Sequence, residues 1–199
     1  MTRALLVAEG AHELSGALEE LVAKLTGLKL DVTCRPLRDS EVRVHAPVGK
    51  YQGFTRRFLG WLSFAEENNF ELLIALIDED DERQRHNEVE LAQASDVFSV
   101  RRAFGVAVQA FDAWMLADEK AISKVLGTVI PKIGSPERHR NPKARFLEVR
   151  EQSEVRESAR ELYRQIAKEL DVDSLALACP KGFKPFADRL RRLSTSPSP

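Results

Sequence analysis

Residues 4–8, ALLVA, form a compact apolar run that stops at Glu9-Gly10, and Leu14, Leu18, Leu21, Val22 and Leu25 then recur at helical spacing across residues 11–26. The order is strand, tight turn, helix. LKLDVTC alternates strictly, placing Leu28, Leu30, Val32 and Cys34 on one face of a second strand, and Val42 and Val44 continue a weaker extended pattern punctuated by Pro36 and Pro47. Phe54, Phe58, Trp61, Leu62 and Ala65 predict a helix. ELLIALI at 71–77 is a continuous apolar run of the kind that a parallel sheet buries on both faces. It ends abruptly in Asp78-Glu79-Asp80-Asp81. A polar, helical stretch through residue 98 leads to a fourth strand, FGVAVQAF, and a helix carrying Trp114, Met115, Ile122 and Val125. Strands alternating with helices predict an α/β fold with a mostly parallel, Rossmann-like central sheet flanked by helices.

From about residue 127 the pattern changes. TVIPKIGSPERHRNPKARF reads as a loop rich in Pro, Gly and basic residues. Beyond it, Val155, Ala159, Leu162, Ile166 and Leu170 form one helical stripe, and Phe183, Phe186, Leu190 and Leu193 form another. The expected organisation is an α/β core over 1–126, a loop and helical C-terminal portion packed on it over 127–193, and a disordered tail at 194–199.

The chain has 199 residues, 43% hydrophobic and 31% charged, with 30 Lys+Arg against 31 Asp+Glu. A net charge of -1 provides no global field for nucleic acid, so binding of that kind must rest on a local patch or a partner. Cys34 and Cys179 stand far apart and outside any CxxC pair, which excludes a disulfide framework and a cysteine zinc site. No apolar stretch approaches a membrane span and the start is not a secretory signal, so a cytoplasmic location is expected.

Ligands of open parallel sheets bind beyond the carboxyl ends of the strands. Glu9 ends the first strand and Asp78 and Asp80 end the third, so adjacent strands would bring three carboxylates together. Such a cluster raises its own pKa values and is relieved by a divalent cation, with hard oxygens favouring Mg²⁺ or Mn²⁺. Acids also end strands simply because the chain meets water. Glu79, Asp81 and Glu82 read as solvated neighbours, with Glu79 a substitute if the register slips by one residue.

LLVAEG followed by LLIALIDEDDE resembles the Toprim pattern, a strand-borne Glu with a DxD at the end of a later strand, found in primases, topoisomerases and the overcoming-lysogenization-defect nucleases. AVQAFDAWMLADEKAI, NPKARF and CPKGFKPFADRLRRL are similar to blocks of small bacterial Toprim-like proteins of unknown function encoded beside ABC-type ATPases in defence islands. The resemblance implies that Glu9 is a general acid/base or metal-proximal residue, that Asp78 and Asp80 coordinate the metal, and that Asp112 adds a carboxylate. Asp112 departs from the family's usual Glu and is equally read as a helix cap.

Arg138, Arg140, Lys143 and Arg145 are the candidate phosphate contacts, followed by Lys50, Arg56 and Arg57; each is also read as part of a solvated face. Gly49-Lys50 belongs to no P-loop, and His12, His45, His86 and His139 lack zinc spacing. His12 falls either near the site or on a surface helix. The expectation is a Mg²⁺- or Mn²⁺-dependent nuclease or phosphodiesterase acting on DNA or RNA, with an ABC-type ATPase partner and a homo-oligomer left open. The rival is a non-catalytic interaction module that retains the acidic cleft.

Overall fold

The computed structural model describes residues 1–38, 42 and 50–195. Val44, His45, Pro47 and tail residues 196–199 lie outside the described residues.

Among the described residues, β1 (Thr2–Ala8), β2 (Leu30–Pro36), β3 (Leu72–Asp78) and β4 (Arg101–Ala107) form one sheet in the order β2-β1-β3-β4, with every neighbouring pair parallel. The fold is α/β and Rossmann-like, with a helical C-terminal portion. The apolar runs account for it: alternate residues of a strand point to opposite faces, and both faces here are covered. Leu5, Val7, Leu73, Ala75, Ile77, Phe104 and Val106 pack with α2 (Gly53–Glu67) and α3 (Gln84–Gln93). Ala4, Leu6, Ala8, Leu72, Ile74, Leu76, Ala103 and Ala107 join a larger layer with α1 (Ala17–Thr26) and the C-terminal helices α7 (Ala159–Glu169), α8 (Val172–Ala178) and α9 (Phe183–Thr195). Leu28, Leu30, Val32 and Cys34 pack together against that layer, as their alternation predicts.

Several boundaries differ from the sequence pattern. The helix expected over 11–26 is a 3₁₀ turn at Glu13–Ser15 followed by α1, because Gly16 takes φ +99°, a left-handed conformation that interrupts the helix. β4 begins at Arg101 rather than Phe104, since β3 supplies backbone partners from Leu72 onward. It ends at Ala107, where the following segment turns through Gln109 at φ +64°. The helix around Trp114 is two, α4 (Asp112–Met115) and α5 (Glu119–Leu126), because Asp118 caps a new start at Lys120 and Ala121. The loop before the C-terminal stripes holds a 3₁₀ turn at Pro136–Arg138 and α6 (Pro142–Glu151), started by Pro142 with Asn141 accepting from the Ala144 N–H. Val155 precedes α7, and α9 extends through Ser194 and Thr195, the first residues of the expected tail.

The outer edge of β4 is closed by side chains. Gln93 accepts from the Phe104 N–H at 2.9 Å and donates to the Arg102 carbonyl at 3.3 Å, standing in for a neighbouring strand. Arg189 of α9 donates to the Phe104 carbonyl at 2.5 Å. No helix among the described residues is long and apolar enough to cross a membrane.

Candidate functional site

Strand order reverses between β1 and β3: the chain leaves β1 toward β2 and later returns on the other side to β3 and β4. In doubly wound sheets the loops beyond such a switch point part to leave a crevice. A cavity of about 550 Å³ opens there, with Glu13, Asp78, Asp80, Asp81 and Asp112 in its wall together with His12, Arg140 and Lys143.

Asp78 is the last residue of β3, and its Oδ1 accepts from the Phe111 N–H at 2.8 Å, which ties the strand end to the loop entering α4. Burial and the nearby Glu13 carboxylate push its carboxyl up to about 8. Beyond it the backbone follows β4 for two more residues, with Glu79 N–H bonded to the Ala107 carbonyl at 2.9 Å and Asp80 N–H to the Gln109 carbonyl at 3.4 Å. Asp80, Asp81 and Gln109 all have positive φ. Aspartate tolerates that conformation better than most residues, and the strained backbone concentrates at the cavity rim.

Glu13 was not singled out by the sequence pattern, yet it is buried at 3% exposure, and burial pushes its carboxyl up to about 7. Its carboxylate lies over Gly10, where a Cβ would stand 2.1 Å from Oε2. Glycine after Glu9 therefore makes room for a second acid. The spacing Glu9-x-x-x-Glu13 was the available signal, hidden by the apparent continuity of the helix.

Asp112 does not cap α4. It is the helix's first residue, it makes no capping bond, and its buried carboxylate accepts instead from the Tyr163 hydroxyl of α7. Burial and that carboxylate raise the Tyr163 pKa, so the phenol remains a donor. The His12 ring lies 4.7 Å from the Tyr163 ring, and burial lowers its pKa, with Lys143 and Arg160 acting in the same direction against Asp112. His12 is thus a cavity residue rather than one on a surface helix.

Glu9 sits at the rim outside the cavity wall. Its Oε2 accepts from the Asp78 N–H at 3.2 Å and pairs with Arg85 Nη1 at 3.4 Å. Burial raises its pKa against the opposing pull of Arg85. Arg85 also reaches Asp80 Oδ2 at 3.0 Å, Glu82 Oε2 at 3.2 Å and the Asp78 carbonyl at 2.6 Å, and its guanidinium rests 4.9 Å over the Phe54 ring. Sequence reasoning passed over Arg85 because it is one arginine within a polar helix.

The basic candidates divide. Arg140 and Lys143 line the cavity with Asn141, whereas Arg138 and Arg145 do not, and Arg145 pairs with Glu148 at 2.8 Å. Lys50 lies over Tyr51, and Arg57 lies over Phe54, the ring that Arg85 also covers. Glu79 turns away, bonding His86 at 3.1 Å and the Gln109 N–H at 3.3 Å, so it does not replace Asp78 or Asp80.

As donors for a metal, these acids fit in kind: hard carboxylate oxygens, crowded enough that burial and mutual repulsion hold Asp78 and Glu13 partly neutral. Among the described residues no three such side chains converge as a ready-made set of ligands, and Arg85 occupies the space between Glu9 and Asp80. No protein-family model, curated protein or solved structure matches the chain.

Proposed function

We propose that the chain is a Mg²⁺- or Mn²⁺-dependent phosphodiesterase or nuclease acting on DNA or RNA. The observation that carries this reading is a single cavity at the switch point whose wall holds both acids, Asp78, Asp80, Glu13 and Asp112, and cations, Arg140 and Lys143. An anionic substrate has no reason to approach carboxylates alone; the cationic lip supplies its contact and the acids supply metal and proton chemistry. Asp78 and Asp80, with Glu9 at the rim, would hold a divalent ion that screens charge on the phosphate and lowers the pKa of an attacking water. Arg140 and Lys143 would bind the phosphate. Glu13, already near neutrality in its proton affinity, is suited to accept a proton, and Tyr163 keeps the Asp112 carboxylate oriented toward the cavity.

The resemblance to Toprim-like proteins adds a cytoplasmic anti-phage setting and an ABC-type ATPase as partner, with self-association left to experiment. A second reading, a non-catalytic interaction module, draws on Arg85, which already neutralises Glu9 and Asp80. Calorimetry with Mn²⁺ separates the two. Binding by the wild-type chain that is lost in an Asp78→Ala/Asp80→Ala double variant, followed by Glu9→Gln abolishing phosphodiester cleavage in a folded protein, is the expected result. Absence of binding in both proteins sinks the metal reading and leaves the module.

A further inference from the structure

Arg85 is placed unlike any other cation of the site. Its side chain is 11% exposed, although three of its four polar partners are carboxylates near the protein surface. A single nitrogen, Nη1, reaches both Glu9 and Asp80 while also donating to the Asp78 carbonyl. It therefore stands between two of the acids that the proposed function assigns to a divalent ion. Nη1 engages Glu9 Oε2 and Asp80 Oδ2, so a divalent ion held through those same oxygens would sit close to the guanidinium and be repelled by it.

The rest of the side chain shows how it is held. Nε binds Glu82, which faces no part of the cavity, and the guanidinium plane lies on Phe54 of α2. Glu82 thus tethers the arginine through a different nitrogen from the one that reaches Glu9 and Asp80. Resting on the metal reading above, we propose that Arg85 is a built-in counter-cation that competes with the divalent ion for Glu9 and Asp80, so that metal loading and release of Arg85 from these acids are one event. The device keeps two adjacent carboxylates neutralised in the metal-free protein, and it weakens metal affinity by what is needed to detach the guanidinium.

The test lies in the sign of two substitutions on Mn²⁺ affinity, measured by calorimetry on the full chain. Arg85→Gln removes the competitor and is expected to tighten binding by about tenfold. Removal of any nearby positive charge would act in the same direction, so the deciding variant is Glu82→Ala. Loss of a negative charge near the site weakens cation binding by simple electrostatics, whereas loss of the tether frees Glu9 and Asp80; competition predicts tightening, about threefold. In the wild-type chain, Mg²⁺ is also expected to accelerate solvent exchange of the Arg85 Nη–H protons, read by NMR. Weaker or unchanged binding in Glu82→Ala, with wild-type binding intact, overturns the role of Arg85 and leaves the proposed metal site standing. No Mn²⁺ binding by the wild type or either variant overturns the metal site and the competition together.

Discussion

Glu137 and the switch-point acids Glu13 and Asp78 are all largely withdrawn from water, but they keep different company. Glu137, in the 3₁₀ turn before α6, receives the Gly182 N–H at 2.6 Å and the Lys181 N–H at 3.1 Å, fastening the entry of α9 to the loop. Its charge is answered by backbone dipoles. Glu13 and Asp78, at the switch point, are surrounded by further carboxylates, and burial pushes both toward the neutral form. Asp78 too accepts a backbone N–H, from Phe111, so the difference lies in the carboxylates crowded beside the switch-point pair. Burial alone does not distinguish a structural acid from a functional one, but the nature of its neighbours does.

The sharpest break of this comparison is a pair of neutralising substitutions with opposite signs. Glu137→Ala leaves two partly or fully buried N–H groups without acceptors and should cost about 2–4 kcal/mol, lowering Tm by on the order of 10 °C. Asp78→Asn keeps an oxygen for the Phe111 N–H while removing the repelled charge, so Tm in metal-free buffer at pH 8 should rise by on the order of 5 °C. A fall in Tm for Asp78→Asn would mean that this acid is as structural as Glu137.

A smaller effect is expected from pH. Glu13 and Asp78 hold their protons to higher pH in the folded chain than in the unfolded one, so their contribution is full below the ordinary carboxylate range and is lost as pH rises through about 7 and about 8. Thermal melts with a chelator present should therefore show Tm falling by a few degrees between about pH 5 and pH 8.5, and Asp78→Asn should flatten that slope. A rising Tm over this window would reverse the assignment. Tyr163→Phe removes the donor to Asp112 and should cost roughly 1–2 kcal/mol by chemical denaturation. At the bottom of the series, Arg145→Ala breaks an exposed pair with Glu148 and should change stability by less than about 0.5 kcal/mol in the same measurement.

The strands were readable because burial on both faces demands uninterrupted apolar runs, and 4–8 and 71–77 contain them. Glu9, Asp78 and Asp80 were readable for the same reason, as the polar residues at which those runs stop. Glu13 and Asp112 depend on different physics. Glu13 reaches the cavity only because Gly16 breaks the helix that its periodicity suggests, and Asp112 is fixed by Tyr163, 51 residues away. Arg85 depends on contacts with Glu9, just past β1, and with the β3 end that no local pattern encodes. α6 escaped notice because its buried residues, Pro142, Phe146 and Val149, form too short a stripe among polar neighbours.

The closure of β4 has a consequence for the order in which the chain is made. The arginine that covers the Phe104 carbonyl is synthesised 85 residues after it. A nascent chain that stalls on the ribosome before residue 183 has built all four strands yet lacks α9, and β4 then presents backbone groups that α9 would have covered. Such an edge is a template for pairing with another unfinished chain. Until α9 is made, Gln93 guards this edge without Arg189, through the Phe104 N–H and the Arg102 carbonyl.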